Sequence, residues 1–336
     1  MNKKTTVKKE SNEISMVIAG DCLIHRFVYT DASNNDGTYS FSKMFTEIEP
    51  LIKNHDLAYY NQESIIGGKA LGLSAYPQFN SPEEIGDDMI DLGFNMVSLA
   101  NNHTMDKGEI GVKNSVNYWK AKQGVYWTGS ALSEEERKNN IRIESKNGIK
   151  YAMLSYTTVT NELYPPFGKE YLTNIYSEEK ILKDLESVKG KADLIIVAMH
   201  WGEEYTTSPS TEQKTIARFL SDNGVNLIIG NHVHSIQPIE MIGDTLVFYA
   251  LGNYISSQST TDRLTSALVS LNIRKENNKI SFNNIKATLI YTYFRDGKNF
   301  KIYPYKMLNN SLLNNYNVFY DKYREVLTEN IDITVE

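Results

Sequence analysis

Short apolar runs that stop abruptly at polar side chains are the dominant pattern of this chain. The clearest run covers residues 227–229, ends at Gly230, and is followed by the histidines His232 and His234. An apolar run of this length between turn residues predicts a buried strand. Other runs end in the same way, before Asp21, before Asn61 to Glu63, before Asn101 to His103, and before His200.

Helical patterns separate most of these strands, as is typical of an α/β chain. Ser81, followed by Pro82 and two acidic residues, predicts a helix N-cap. Asn147-Gly148 between two alternating segments predicts a β-hairpin, and Ser133 followed by three glutamates at 134–136 predicts a charged surface turn. The predicted helices cover residues 42–54, 81–93, 106–123, 177–188, 210–223 and 311–328.

The pattern changes after residue 251. Residues 265–274, 279–291 and 299–304 alternate apolar and polar positions, are rich in β-branched residues, and have no long helix between them. These features predict antiparallel strands, which we expect to form a second sheet. Helix–strand alternation followed by a run of strands predicts one α/β domain with two packed sheets flanked by helices.

The polar residues at the strand ends predict a metal site. Ligands and metals bind at the carboxyl ends of strands in open α/β sheets. His232 and His234 point the same way if their segment is extended, and two imidazoles at one place suit Zn, Mn or Fe. Taken alone, the pair fits two hydrogen-bonded loop histidines equally well; the repetition at other strands favours a metal site.

Composition narrows the classes of function. The formal net charge is −6 and no basic stripe stands out, which argues against a nucleic-acid partner. Cys22 is the only cysteine, so no intramolecular disulfide can form. Residues 1–14 lack the apolar region of a signal peptide, and no apolar stretch approaches the roughly 20 residues that span a bilayer. Either the protein is cytoplasmic or a leader or anchor precedes this sequence.

Six short motifs occur in an order that resembles the CapA family, the bacterial poly-γ-glutamate capsule biosynthesis proteins related to calcineurin-like metallophosphoesterases. The resemblance covers about residues 14–290. It implies a four-layer α/β/β/α sandwich with a metal centre at the strand ends, in a protein that acts at the cell envelope. The motifs are Gly20-Asp21, Asn61-Gln62-Glu63, Asn101-Asn102-His103, His200-Trp201-Gly202, Gly230-Asn231-His232-Val233-His234 and Leu251-Gly252-Asn253-Tyr254.

The resemblance also implies a role for individual residues. His103 matches the histidine that protonates a leaving group, and Glu63 stands where metallophosphoesterases place an Asp that bridges two metals. The implied ligands of two divalent transition metal ions (Mn, Zn or Fe) are Asp21, Glu63, Asn102, His200, His232 and His234. Residues that could also contribute are His25, Asn101, Glu203 and Asn253.

Two positions depart from the metallophosphoesterase pattern. Leu23 stands where that pattern has a histidine two residues after the first Asp, and the nearest histidine is His25. Glu63 is one methylene longer than the usual bridging Asp. Both changes concern the metal that the resemblance assigns to Asp21 and His234.

The function implied is that of a CapA-like protein in poly-γ-glutamate capsule biosynthesis or export, as a metal-dependent enzyme of the hydrolase type. Its partner would be an anionic γ-glutamyl polymer or its precursor. Two alternatives stay open, a non-catalytic scaffold subunit of a membrane polyglutamate synthase complex and a general phosphoesterase. We expect one CapA-like domain over residues 14–306, after a disordered lead-in over residues 1–13 and before a helical extension over residues 307–336.

Overall fold

The computed structural model describes residues 12–336. The lead-in predicted over residues 1–13 lies outside the described residues except for Asn12 and Glu13. Glu13 begins the first strand, and the carbonyl of Asn12 accepts a 2.9 Å hydrogen bond from the backbone N–H of Lys275.

The described residues form a mixed α/β structure. The strands in chain order are β1 (Glu13–Cys22), β2 (Leu57–Gln62), β3 (Met96–Ser98), β4 (Tyr126–Thr128), β5 (Glu144–Lys146), β6 (Ile149–Thr157), β7 (Leu194–His200), β8 (Leu227–Asn231), β9 (Ile239–Ile242), β10 (Thr245–Phe248), β11 (Asn253–Ile255), β12 (Thr265–Glu276), β13 (Lys279–Arg295), β14 (Lys298–Pro304) and β15 (Thr334–Val335). The α-helices are α1 (Arg26–Ala32), α2 (Glu49–Ile52), α3 (Glu84–Asp91), α4 (Gly108–Lys120), α5 (Glu134–Asn140), α6 (Glu178–Val188), α7 (Thr211–Asp222), α8 (Thr261–Leu264) and α9 (Tyr316–Thr328).

The first sheet has the strand order β14-β13-β12-β1-β2-β3-β4, with β11 beside β1 and β15 beside β13. Strands β1 to β4 are parallel, whereas β12 to β14 join antiparallel. The prediction that residues 265–304 form a second sheet is therefore wrong. These strands continue the first sheet because β12 pairs along the free edge of β1, from Glu13 opposite Arg274 to Ile18 opposite Val269. Alternation of side chains defines the faces of a strand and leaves its pairing partner open.

The second sheet has the order β5-β6-β7-β8-β10-β9. Its central strands β6, β7, β8 and β10 are parallel, and the edge strands β5 and β9 are antiparallel to their neighbours. The predicted hairpin at Asn147-Gly148 is confirmed as the turn between β5 and β6.

The two sheets pack face to face, and helices cover their outer faces. Buried side chains of alternate positions, such as Ile18 on β1 and Ile229 on β8, fill the layer between the sheets. The next positions, such as Val17 and Ile228, face outward into separate apolar layers under the helices. The predicted four-layer α/β/β/α sandwich is confirmed.

Several predicted helices differ from the observed ones for local reasons. Residues 42–54 form a 3₁₀ turn at Ser42–Met44 and the short helix α2, because Pro50 lacks the N–H that a continuous helix would need. Ser81 is not an N-cap, since its hydroxyl donates to the Ser64 hydroxyl (2.8 Å) and α3 begins at Glu84. The predicted charged turn is the start of α5, where the Ser133 hydroxyl accepts from the N–H of Glu136.

The C-terminal segment predicted as a helical extension contains α9 and the short strand β15. The backbone N–H of Glu336 donates to the carbonyl of Ala287, so this segment pairs with β13. Among the helices of residues 12–336, none is long and apolar enough to cross a membrane.

Candidate metal centre

The carboxyl ends of strands from both sheets meet at one place. Asp21 is the penultimate residue of β1, Glu63 directly follows β2, His200 ends β7, and His232 directly follows β8. The backbone N–H of His232 donates to Oδ2 of Asp21 (3.0 Å), which joins the second sheet to the first. The site is therefore built on rigid strand ends.

Two groups of buried metal-ligating side chains share one carboxylate. Glu63, His200 and His232 form the first group, and Asp21, Glu63 and His234 form the second. Within each group the potential ligand atoms lie within 4.8 Å of one another. Oε1 of Glu63 lies 3.7 Å from Nε2 of His200 and 3.8 Å from Nε2 of His234. Glu63 thus stands between the two groups.

Glu63 is fully buried, and neither of its carboxylate oxygens has a hydrogen-bond partner within residues 12–336. Burial, and next the nearby charge of Asp21, raises the pKa of Glu63 well above its usual value. An uncompensated buried carboxylate costs several kcal/mol. A cation held between the two groups would offset that cost, so the residues fit a bound metal.

The three histidines have the protonation state that metal ligation needs. Burial lowers the pKa of His232 and of His234 to about 3, and lowers the pKa of His200 well below its usual value. They are therefore neutral near pH 7, the form in which a histidine ring binds a metal. Nδ1 of His232 has no hydrogen-bond partner among the described residues.

Asn253 sets the tautomer of His234. Its amide nitrogen donates to Gln258 (3.0 Å) and to the carbonyl of Arg263 (2.8 Å), so its oxygen faces Nδ1 of His234 at 2.8 Å. Since that oxygen can only accept, Nδ1 of His234 carries the proton and Nε2 keeps its lone pair on the side of Glu63. Such outer contacts orient ligating histidines in metal sites.

Asp21 is held by two donors. The amide of Asn61 donates to its Oδ1 (2.8 Å), and the backbone N–H of His232 to its Oδ2. Burial nevertheless raises the pKa of Asp21 to about 6, against the lowering effect of these bonds. The amide nitrogen of Asn61 is also 3.3 Å from Nδ1 of His200, so Asn61 connects the two groups.

The segment of His232 and His234 is a turn. Both residues have positive φ, 99° and 54°, a conformation that is uncommon for residues other than glycine, although Asn, Asp and His adopt it more often than the rest. The extended geometry predicted for this segment is therefore wrong, although the two rings still lie near each other, with centroids 6.1 Å apart. Strain of this kind is concentrated at functional sites.

The adjacent residues Asn101 and Asn102 have different contacts. Oδ1 of Asn102 lies 2.9 Å from Nε2 of His200, at the edge of the first group. Asn101 instead shapes the turn, since its amide nitrogen donates to the carbonyl of Gln62 (2.9 Å) and its oxygen accepts from the N–H of His103 (3.0 Å).

His103 forms a buried pair with Asp106. Its Nδ1 is 2.7 Å from Oδ2 of Asp106, and the same oxygen accepts from the backbone N–H of Phe79 (2.6 Å). A carboxylate only accepts, so Nδ1 of His103 is the donor and Nε2 is left for proton transfer. Sequence reasoning missed Asp106; its three-residue spacing from His103 was the available signal.

The sequence of this chain matches a known protein family. The profile of a family described as "Bacterial capsule synthesis protein PGA_cap" matches residues 15–258. The chain belongs to this family. The matched range contains every residue of the two groups, and also His103 and Asp106.

Two named relatives of this PGA_cap chain are capsule proteins of Bacillus. The "PGA biosynthesis protein CapA" of Bacillus subtilis (strain 168) is 29% identical over 278 residues, which cover 80% of this chain and 70% of the relative. The "Capsule biosynthesis protein CapA" of Bacillus anthracis is 29% identical over 282 residues, covering 79% and 65%. This chain therefore spans about two thirds of the length of these relatives.

Solved structures similar to this chain include two phosphoesterases. One is the calcineurin-like phosphoesterase YfkN from Bacillus subtilis, with a TM-score of 0.49 and 13% identity over 82% of this chain and 90% of that one. The other is the 5'-nucleotidase from Candida albicans SC5314, with a TM-score of 0.45 and 12% identity over 83% of this chain and 52% of that one.

His25 and Glu203, two of the additional residues named from the sequence, belong to neither of the two groups. Nδ1 of His25 is 3.2 Å from the carbonyl of Leu23 and accepts from the N–H of Ser257 (3.3 Å). The His25 ring packs edge-on against Phe79, with centroids 5.3 Å apart. Glu203 is exposed. The structure therefore brings no histidine into the position that Leu23 occupies in the sequence pattern.

Close backbone packing holds the strand ends of this PGA_cap chain in place. A Cβ on Gly230 would lie 1.9 Å from the carbonyl oxygen of Tyr249 and 2.5 Å from Nε1 of Trp201. Trp201 is fully buried and donates from Nε1 to that carbonyl (3.0 Å). Its ring stacks on Tyr249, with centroids 6.1 Å apart, so only glycine fits at position 230.

Proposed function

We propose that this chain is a metal-dependent hydrolase-type protein that acts on poly-γ-glutamate during capsule biosynthesis or export. In this proposal the chain holds two divalent transition metal ions, Mn, Zn or Fe, with Glu63 as the shared ligand. The remaining ligands would be Asp21, Asn102, His200, His232 and His234. The family and the names of its relatives support the polymer, and the two buried groups support the metals.

The observation that carries the proposal is the orphaned carboxylate of Glu63. A scaffold that had lost its chemistry would gain stability by replacing this residue with an apolar one. Instead, the chain keeps Glu63 between three neutral histidines and a second carboxylate. This arrangement is costly without a cation and favourable with one.

The chain's own residues supply the acid–base chemistry. Bound divalent ions would activate a water and stabilise negative charge on the reacting carbonyl. Hydrolysis of a γ-amide bond breaks the bond between the side-chain carbonyl carbon and the next nitrogen, and the departing amine needs a proton. His103 in its protonated form would give that proton from Nε2, while Asp106 holds Nδ1 (2.7 Å) and stabilises the imidazolium.

A general phosphoesterase is the second candidate. Two ligand groups that share one carboxylate, with a carboxylate-bound histidine nearby, also suit the in-line displacement of a phosphate ester. The two candidates differ in substrate and can be separated directly.

The test is an assay with both substrate classes. Wild type and Glu63→Gln are incubated with Mn²⁺ and γ-linked polyglutamate of defined length, and new amino ends are measured. Parallel samples contain a phosphate monoester and a phosphate diester. We expect polymer cleavage by the wild type, loss of cleavage in Glu63→Gln, and unchanged cleavage in the control Glu179→Gln, which alters an exposed carboxylate on α6.

Cleavage of the phosphate esters with the polymer left intact would replace the first candidate by the second. Polymer cleavage that Glu63→Gln retains would overturn the role of the centre.

A further inference from the structure

A groove with two cationic side chains begins next to the His103–Asp106 pair. Its volume is about 620 Å³, and its lining includes His25, Arg26, Tyr76, Gln78, Lys107 and Ser257. That volume is in the range that holds a ligand the size of a small organic molecule.

The groove is connected to the candidate proton donor through one aromatic ring. His25 packs on Phe79 and Phe79 packs on His103, with ring centroids 5.3 Å and 4.6 Å apart. Lys107 follows Asp106 directly in the chain. A molecule lying in the groove is therefore separated from His103 by the rings of His25 and Phe79.

The charged side chains that line the groove are all positive. Arg26 and Lys107 make no ion pair within residues 12–336, and no carboxylate is among the described residues that line the groove. This contrasts with the formal net charge of −6 for the whole chain. The cleft between α5 and α6, of about 570 Å³, also has several cations, but Glu134, Glu179 and Asp184 line it with them.

Lys107 lies at a position where its positive charge does not stabilise its own helix. Lys107 is the N-cap of α4, and its side chain makes no capping hydrogen bond. A cation at the N-terminus of a helix is unfavourable for the helix dipole. Its charge at this position is therefore better explained by an anionic ligand than by helix stability.

We propose that this groove is a substrate subsite that binds carboxylates of an anionic chain on the way to the metal centre. Arg26 and Lys107 would each contact one carboxylate, and the exposed ring of Tyr76 would pack against the methylene groups between them. The inference rests on the proposed function, since a γ-linked polyglutamate carries one free carboxylate on every residue. It explains how an acidic protein can hold a polyanion.

The test is a binding titration with a fluorescent γ-linked decaglutamate at low salt. The groove variant is Arg26→Gln/Lys107→Gln. The control is Lys279→Gln, which removes an exposed charge from the hairpin between β12 and β13. That hairpin pairs beside the N-terminal end of β1, at the sheet edge opposite the centre. A metal-centre variant, Glu63→Gln, is titrated in parallel.

We expect wild type and Lys279→Gln to bind alike, and the groove variant to bind at least about tenfold more weakly, because it loses two charged contacts. Glu63→Gln should keep most of its affinity for the decaglutamate. Equal binding by wild type and groove variant would overturn the subsite while leaving the proposed function standing. Absence of binding by wild type would overturn both, so the two failures are distinguishable.

Discussion

Replacing Glu63 by glutamine should stabilise the metal-free protein and destabilise the metal-loaded one relative to wild type. Glutamine has the same shape as glutamate but carries no charge. Both carboxylate oxygens of Glu63 lack hydrogen-bond partners within the described residues, so the change breaks no bond of the metal-free protein. The variant therefore isolates the electrostatic cost of the buried carboxylate.

The magnitude follows from the buried position of Glu63. A fully buried carboxyl without hydrogen-bond partners costs folding about 3 kcal/mol at neutral pH, whether it stays charged or takes up a proton. Glutamine avoids this cost but leaves a buried amide without partners, which takes back about 1 kcal/mol. We expect a net gain of about 2 kcal/mol in the free energy of unfolding, or a rise of roughly 3 °C in Tm.

The stability difference between Glu63→Gln and wild type in the metal-free state should increase with pH. The pKa of Glu63 is higher in the folded than in the unfolded protein, so protonated Glu63 favours the folded state. This contribution to the free energy of unfolding is full below the unfolded-state pKa of 4.5 and is lost as pH rises toward the folded-state pKa. The advantage of Glu63→Gln should therefore be present at pH 7 and vanish near pH 4.5. Bound metal should make wild type the more stable of the two proteins. An ion at 100 times its Kd stabilises wild type by about 2.7 kcal/mol, whereas the variant lacks the shared ligand.

The assay is thermal unfolding of both proteins after chelation and again with Mn²⁺ or Zn²⁺. The exposed control Glu179→Gln should match wild type in both conditions, because surface ion pairs contribute about 0–1 kcal/mol. A Glu63→Gln protein that is less stable than wild type after chelation would refute the reasoning that the carboxylate is an uncompensated charge.

Changes around the centre should separate catalysis from folding. His103→Asn should lower kcat for polymer cleavage by about 10² to 10⁴ without changing metal content, since His103 belongs to neither ligand group. Asp106→Asn should lower kcat by at least about tenfold with little effect on KM, because Nδ1 of His103 then faces a neutral amide oxygen in place of a carboxylate; an equal loss of bound metal would contradict this role. Tyr59→Phe, which loses the 2.8 Å bond to Asn231, should cost about 1 kcal/mol in urea unfolding. Gly230→Ala should cost more than about 3 kcal/mol or prevent folding. Gly224→Ala has open space around it but a positive φ of 87°, so it should cost only about 1–2 kcal/mol.

The position of each candidate ligand at the end of a strand could be predicted from the sequence, because a few neighbouring residues show where a strand ends. The apolar runs before Asp21, Glu63, His200 and His232 each stop at a polar residue. Parallel pairing then brings Asp21 and Glu63 to one end of the first sheet, and His200 and His232 to one end of the second. The packing of one sheet on the other, which the strand patterns do not specify, joins the two pairs. Their roles as ligands stay predictions, which the close grouping of the side chains supports.

Other features depend on partners far away in the sequence. The pairing of β12 with β1 joins residues more than 240 positions apart, and alternation alone cannot show which edge a strand will cover. Asn61 connects Asp21 to His200 only once strands of two sheets have packed. The turn at His232 and His234 likewise depends on the bond from the His232 N–H to Asp21.

The most direct test of the central claim is the metal content of the purified protein after incubation with Mn²⁺ and removal of free ions. Elemental analysis is made of wild type, Glu63→Gln and His232→Ala/His234→Ala, with circular dichroism to establish that each is folded. The account predicts two ions per wild-type chain and a clear loss in both folded variants. A folded wild type that binds no Mn²⁺, and none when the incubation is repeated with Zn²⁺ or Fe²⁺, would contradict the claim that Glu63 and the three histidines form a metal centre.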